Sequence, residues 1–175
     1  VAISGDTIVV AAYTEEGAGT TRGAAYVFER NEGGEGNWGE VTKLTASDAA
    51  DYDMFGFAVA ISEDTIVVGG DAYLYRANYE EGTGTDLGAA YVFERNAGGE
   101  DNWGEVVKLT TSDAEDYDMF GSSVAISGDT IVVGAFGMDT DRGAAYVFER
   151  NAGGENNWGE VVKLTASNAE ELDKF

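Results

Sequence analysis

The chain contains no cysteine, no histidine and no proline among its 175 residues. Without cysteine there is no disulfide, no thiolate zinc site and no cysteine nucleophile. Without histidine the commonest general base and metal ligand is also absent. Positive charge is scarce, because 10 Lys and Arg residues stand against 33 Asp and Glu residues. The net charge of −23 argues against binding to nucleic acids or anionic membrane surfaces, since both need clustered basic side chains.

Long apolar runs are absent as well. No stretch approaches the roughly 20 apolar residues needed to cross a bilayer, so we predict no membrane insertion. The apolar fraction of 43% is nevertheless typical of a chain that folds around a core. An acidic surface of this kind suits a salty or calcium-rich medium, or a cationic partner.

Three tandem repeats dominate what is present. The nonapeptide GAAYVFERN begins at Gly23, Gly88 and Gly143. The segment VAIS-[GE]-DTIVV begins at Val1, Val59 and Val124, and NWGEV begins at Asn37, Asn102 and Asn157. We therefore divide the chain into repeat 1 (1–53), repeat 2 (54–118, with its longest variable loop at 70–87) and repeat 3 (119–175, whose end 168–175 starts a further unit).

The pattern within each repeat predicts β-structure. VAIS and TIVVGA are β-branched runs separated by a short turn, in which Gly128 and Asp129 tolerate positive φ. AAYVFER is predicted as a third strand and EVVKLTA as a fourth. No sustained 3.6-residue period is present, so essentially no helix is expected. We predict an all-β, β-propeller-like fold of three tandem four-stranded antiparallel blades.

The words FG-x-x-VA-I-x-x-D-T-IVVGA, GAAYVF, W and KL resemble the FG-GAP repeats of integrin α-subunit propellers and their bacterial relatives. The resemblance implies an extracellular β-propeller domain, secreted or at the cell surface, that serves adhesion and recognition. It also implies that any catalysis belongs to other domains. Calcium-binding members carry a D-x-D-x-D-G-like loop in the first hairpin, whereas Ser-Gly-Asp-Thr is too short here to wrap a cation.

A different acidic segment, which precedes the FG words, supplies candidate calcium ligands. Its pattern D-x-x-D-x-D offers the hard oxygen donors that calcium prefers. Alternatively, these side chains cap turns through hydrogen bonds to their own backbone. The candidates are Asp48, Asp51 and Asp53 in one segment, and Asp113, Asp116 and Asp118 in the next. Calcium is the only cofactor that the sequence suggests.

The acidic residues do not indicate an enzyme. A pair of carboxylates can hydrolyse glycosides, but most acids here recur in every repeat, as Glu29, Glu94 and Glu149 do. A position that recurs in each unit indicates a structural role, whereas an active site is normally single. The arginines and lysines that recur beside them are expected to form ion pairs. We predict that the chain is not an enzyme.

The one interval of variable length is the candidate ligand-binding surface. Length variation in repeat proteins collects in loops on one face, often the binding face. Aromatic residues that do not recur, and a single arginine, lie in or beside this interval: Tyr13, Tyr73, Tyr75, Arg76, Tyr79 and Phe136. Tyrosine and arginine are favoured at interface centres, so a protein or glycan ligand is one interpretation. A loop that only covers a sheet edge is the other.

The two ends of the sequence are the candidate assembly surfaces. Three blades are fewer than the four to eight that close a propeller. We expect the residues Val1, Ala2, Ile3 and Ser4 to be complemented by Leu172, Asp173, Lys174 and Phe175. The complement comes either from further blades of the same polypeptide or from other copies of the chain, in a head-to-tail filament. The sequence thus favours a non-enzymatic extracellular structural or adhesive module, with a filament protomer and a calcium-dependent ligand-binding domain as alternatives.

Overall fold

The computed structural model describes residues 1–16, 21–70, 87–113, 118–137 and 143–168. Within these ranges the chain forms strands and no helix, and so offers no helix that could cross a membrane. The strands are β1 (Ala2–Ser4), β2 (Thr7–Ala12), β3 (Ala24–Arg30), β4 (Trp38–Leu44), β5 (Ala58–Ser62), β6 (Thr65–Gly70), β7 (Ala89–Arg95), β8 (Trp103–Leu109), β9 (Phe120–Ser127), β10 (Thr130–Ala135), β11 (Ala144–Arg150) and β12 (Trp158–Leu164).

These strands form three antiparallel sheets with the same up-and-down order. Sheet 1 is β1-β2-β3-β4, sheet 2 is β5-β6-β7-β8 and sheet 3 is β9-β10-β11-β12. The prediction of an all-β, propeller-like fold with three four-stranded blades is confirmed. Each fourth strand begins at its tryptophan, whereas the sequence pattern predicted a start two residues later, at the glutamate.

The first hairpin of each sheet has a two-residue turn, as the register of Ser4 opposite Thr7 shows. The first turn residue has positive φ: 55° at Gly5 and Gly128, and 51° at Glu63. Asp129 does not have positive φ, so that part of the sequence prediction is wrong. The aspartate carboxylate binds an arginine of the third strand instead, as described below.

Apolar side chains pack between neighbouring sheets rather than inside one sheet. One buried cluster joins Val9, Val27 and Leu44 of sheet 1 to Ile66 and Phe93 of sheet 2. A second cluster joins the opposite face of sheet 2 to sheet 3 in the same way. The first two strands of adjacent sheets lie close together and the outer strands lie farther apart, so the sheets fan out as propeller blades do.

The FG phenylalanine fills the space between two sheets. Phe120 is 1% exposed and packs edge-on against Tyr146 and Phe148, with ring centroids 5.6 and 6.0 Å away. Its backbone forms a parallel bridge with Gly88 of the preceding sheet, which has φ +70°. Phe55 repeats this arrangement one sheet earlier. The FG word therefore connects each sheet to the one before it.

Candidate interaction surfaces

An arginine from the third strand joins each sheet to the one before it. In sheet 2, Arg95 donates from Nη1 to Oε1 of Glu29 in sheet 1, at 2.6 Å. Its Nη2 donates to the hydroxyl of Thr7 at 3.2 Å, also in sheet 1. Its Nε donates at 2.7 Å to Asp64, in the hairpin of its own sheet. One guanidinium thus connects two sheets and a turn.

A tryptophan completes this contact. The Arg95 guanidinium lies 4.7 Å from the centre of the Trp103 ring, within the range of a cation–π interaction. The indole Nε1 of Trp103 donates to Glu29 at 3.4 Å. Arginine suits this position because its planar group can stack on an aromatic ring and bind carboxylates at the same time. We call this group of a glutamate, an arginine and a tryptophan across two sheets the Glu–Arg–Trp junction.

The same junction recurs between sheets 2 and 3. Arg150 binds Glu94 at 2.5 Å and Asp129 at 2.8 Å, and its guanidinium lies 4.6 Å from the Trp158 ring. Sheet 1 contains only half of it, because Arg30 binds Asp6 and stacks on Trp38 but its Nη groups have no partner among the described residues. The predicted role of these arginines in ion pairs is confirmed; each pairs with an aspartate of its own sheet, and Arg95 and Arg150 also pair with a glutamate of the preceding sheet.

Replacing Arg150 with alanine is expected to lower the free energy of unfolding by about 2–3 kcal/mol, because the buried side of the junction loses a charge-assisted hydrogen bond. Arg30→Ala is the matched control, since it removes the same contacts within one sheet and none between sheets; about 1 kcal/mol is expected. Urea unfolding of both variants, of Glu94→Ala, and of Arg150→Ala combined with Glu94→Ala measures the losses and the coupling between Arg150 and Glu94. Equal losses at Arg30 and Arg150 would contradict the junction.

The predicted calcium ligands Asp48 and Asp113 bind side chains of the next sheet. Asp48 accepts from the Tyr91 hydroxyl at 2.9 Å and from Lys108 Nζ at 2.6 Å. Asp113 accepts from Tyr146 at 3.0 Å and from Lys163 at 2.7 Å. Both carboxylates are thus already neutralised by a lysine, which leaves them poorly placed to hold a cation.

The other aspartates of the first segment point to separate partners. Asp51 binds Nε of Arg22 at 2.8 Å, and Asp53 accepts from the backbone N–H of Ala50 at 2.5 Å. Burial raises the pKa of Asp53 above its usual value. The described residues contain no group of three acidic side chains that converges as metal ligands do. The described residues of this segment do not fit a calcium site, and capping hydrogen bonds explain Asp53 better.

In sheet 1, the equivalent tyrosine and lysine bind a different carboxylate. Tyr26 and Lys43 both bind Glu15, which lies in the variable interval of the same repeat, with Tyr26 Oη at 2.5 Å. The hydrogen bond from Lys43, and then that from Tyr26, lowers the pKa of Glu15. Glu15 therefore takes the place that Asp48 and Asp113 fill in the other sheets. Sequence reasoning missed this role, because Glu15 has no counterpart in a repeated word.

The Asp113 contact predicts a dependence of stability on pH. The hydrogen bond from Lys163 lowers the pKa of Asp113 in the folded chain. The contact therefore stabilises the fold fully when the pH is above the pKa of this carboxyl group in the unfolded chain. The stabilisation is lost as the pH falls through the lower pKa of the folded chain. Asp113→Asn is expected to cost about 0.5–1 kcal/mol near neutral pH, since the pair is half exposed. The difference from the unmodified chain should shrink near pH 3.

The control for this measurement is Glu100→Gln, in the exposed loop before β8. It removes one carboxylate from a surface position, so it reports the general effect of net charge. Urea unfolding across the acid range compares the three proteins. A cost of Asp113→Asn that stays constant down to about pH 3 would contradict the assigned ion pair.

The predicted ligand-binding residues fall into two groups. Tyr13 is 41% exposed and packs edge-on against Phe57 with ring centroids 5.7 Å apart, whereas Phe136 is partly buried. The other four, Tyr73, Tyr75, Arg76 and Tyr79, lie outside the described residues, as does Asp116 of the second acidic segment. The ligand-binding assignment therefore stays a prediction.

Of the two predicted assembly ends, the structure describes only the first, residues 1–4. Val1 is 89% exposed and Ile3 64% exposed, while the Ser4 hydroxyl accepts a hydrogen bond from the Glu63 N–H of sheet 2 at 3.0 Å. Leu172, Asp173, Lys174 and Phe175 lie outside the described residues. Their expected pairing with the start of the sequence stays a prediction.

The repeated sheets and junctions define a β-propeller-type repeat protein. The model of the FG-GAP repeat family matches residues 1–28, 38–93 and 103–148, more than half of the chain. The chain belongs to the FG-GAP repeat family, as its repeated words indicated. No curated protein sequence matches it.

Proposed function

We propose that the chain is a non-enzymatic, extracellular structural or adhesive module that works as part of a larger assembly. Family membership supports the propeller-type module. The proposed assembly rests on one observation: the residues that recur in each repeat form the contacts between one sheet and the next. Acidic residues of the kind that a hydrolase uses, such as Glu29 and Glu94, are bound to arginines at these junctions.

The outer faces of sheets 1 and 3 support the assembly role. Phe93 and Trp103 are 3% and 4% exposed between sheets 1 and 2. The equivalent residues Phe28 and Trp38, against which none of the described sheets packs in the same way, are only partly buried. On the opposite side of the molecule, Leu164 is 43% exposed, although Leu109 at the same position of sheet 2 is 3% exposed. Apolar faces of this kind favour further sheets stacked on both sides.

Head-to-tail polymerisation of the chain is the second candidate, because the same two faces favour it. A closed propeller segment and a filament differ in what their assembly produces. Electron microscopy of the native material distinguishes them, since rings of one size indicate closure and long fibres indicate a filament.

Surface labelling of intact producing cells tests the proposed location. An antibody to the chain should label intact cells, and external protease should remove the signal while a cytoplasmic marker survives. Binding assays against matrix proteins and glycans then test adhesion, with Tyr73, Tyr75 and Arg76 replaced together by alanine in one variant and Tyr13 in a second. Labelling that appears only after the cells are permeabilised would overturn the extracellular role.

A further inference from the structure

All the positive charge that the structure describes is used inside the chain. For example, Nη1 of Arg95 lies 2.6 Å from the carboxylate of Glu29. Each described lysine and arginine binds a carboxylate in this way: Arg22, Arg30, Lys43, Arg95, Lys108, Arg150 and Lys163. In the described part of the chain, no cation remains to offset the other carboxylates.

Many of those other carboxylates lie at exposed positions at one end of the sheets. Glu63, in the hairpin turn of sheet 2, is exposed. The loop between the third and fourth strands lies at the same end as this turn, since the Arg95 N–H donates to the Asp64 carbonyl. Such loops in the three sheets hold further exposed acids, none with an ion-pair partner among the described residues: Glu32, Glu35, Glu100, Asp101 and Glu155. We call this surface of turns and loops the loop end.

The excess of negative charge extends over the whole chain. The net charge is −23 on 175 residues, with 10 lysines and arginines against 33 aspartates and glutamates. Like charges on one compact surface repel each other, and unfolding relieves the repulsion by moving them apart. The exposed acids of the loop end belong to all three sheets, so a single local pairing cannot remove this repulsion.

A few tightly bound divalent ions do not fit this distribution. Calcium takes six to eight oxygen ligands at one point. The described residues contain no group of three acidic side chains that converges in this way, and the acids of the loop end stand on separate loops. A diffuse layer of monovalent cations needs no convergent ligands, because it acts through ionic strength.

Salt acts differently on the repulsion and on the ion pairs. The Debye length falls from about 30 Å at 0.01 M salt to about 3 Å at 1 M. Carboxylates on separate loops then cease to repel each other, whereas groups in direct contact keep most of their attraction. Arg95 and Glu29 are 2.6 Å apart and only 20% and 21% exposed, and partly buried pairs are screened less than exposed ones. Added salt should therefore stabilise this fold.

We propose that the chain is adapted to a high-salt medium, in which hydrated monovalent cations such as Na⁺ and K⁺ screen its carboxylates, and that the fold loses stability when this medium is diluted. The cations form a diffuse layer and occupy no fixed site. The inference goes beyond the proposed function, because it rests on the distribution of charge and not on adhesion or location. A fall in salt would loosen the fold without any ligand.

Thermal unfolding of the purified chain at neutral pH tests the inference. Between about 0.01 M and 1 M KCl the unfolding midpoint should rise by at least about 8 °C. NaCl should give the same curve, because screening depends on ionic strength. A smaller rise would overturn the proposal. An equal rise produced by about 1 mM CaCl₂ in 0.01 M KCl would also overturn it, in favour of a calcium site.

Four glutamates of the loop end separate screening from other effects of salt. One variant combines Glu32→Gln, Glu35→Gln, Glu100→Gln and Glu155→Gln, and so removes four of the excess negative charges. Because repulsion grows with the square of the net charge, its rise in midpoint should be about two thirds of that of the unmodified chain. The matched control changes the same four residues to aspartate, which keeps the charge and should keep the full rise. Equal rises in the two variants would show that salt acts by favouring apolar burial, and would overturn the proposal.

The outcomes separate this inference from the proposed function. If stability does not depend on salt but surface labelling and adhesion succeed, the extracellular module stands and the salt adaptation is wrong. If stability depends on salt as expected but labelling appears only in permeabilised cells, the salt adaptation stands and the extracellular role is wrong.

Discussion

Replacing Gly88 with alanine is expected to destabilise the fold by about 3–5 kcal/mol, from backbone strain and overlap together. Gly88 has φ +70°, and an added Cβ would overlap the Phe120 carbonyl oxygen and lie 2.7 Å from the Phe120 nitrogen. These are backbone atoms of the bridge between sheets 2 and 3, so no side-chain rotation relieves the overlap. Thermal and urea unfolding of the purified variant measure the loss.

Gly128→Ala is the matched control for backbone strain. Gly128 also has positive φ, +55°, but an added Cβ there would meet nothing within 4 Å. Its cost should be about 1–2 kcal/mol, the usual penalty for an L-residue in the left-handed region. If both alanine variants lost the same stability, the close approach between the sheets would not be what makes Gly88 necessary.

The second large effect is expected at Phe148. Phe148 is 2% exposed and packs against Phe120 between sheets 2 and 3. Removal of its ring should cost about 3–5 kcal/mol, because it loses buried apolar area and leaves a cavity that rigid sheets close poorly. Urea unfolding of Phe148→Ala measures this cost.

Phe28→Ala is an unusually close control, because Phe28 stands at the same position of the same nonapeptide, GAAYVFERN. Phe28 is only partly buried, since none of the three described sheets lies in front of it. We expect it to cost about 1–2 kcal/mol in dilute monomer. Equal costs at Phe28 and Phe148 would show that the ring stabilises its own sheet rather than the packing between sheets.

The ion pairs between sheets explain why the repeated aspartates do not by themselves indicate a calcium site. In the sequence, Asp48 and Asp113 look like ligands because they are clustered with other carboxylates. In the structure, Lys108 and Lys163 come from the next sheet to bind them. The lysines stand about 50–60 positions away along the chain, and no local rule of hydrogen bonding or turn geometry predicts which sheet will supply a counter-charge.

Much of the fold could be predicted because its signals are local and occur three times. The turn before Thr7, the β-branched runs and the nonapeptide each specify strands without help from distant residues. Repetition of the same words in the same order then indicates stacked sheets, since one four-stranded sheet cannot bury both of its faces. The exception within the hairpin was Asp129, whose carboxylate is needed for Arg150 rather than its backbone for positive φ.

The contacts between sheets could not be predicted in the same way. The nonapeptide places Glu29 and Arg30 side by side in the chain, but alternation in a strand points them to opposite faces. Glu29 therefore meets the following sheet, and Arg30 faces the side where a preceding sheet would stand.

The sequence by itself determined the strands, the turns and the threefold repetition, because these depend on neighbours in the chain. Only the tertiary structure decided which carboxylate pairs with which cation, because those contacts depend on how separate sheets stack.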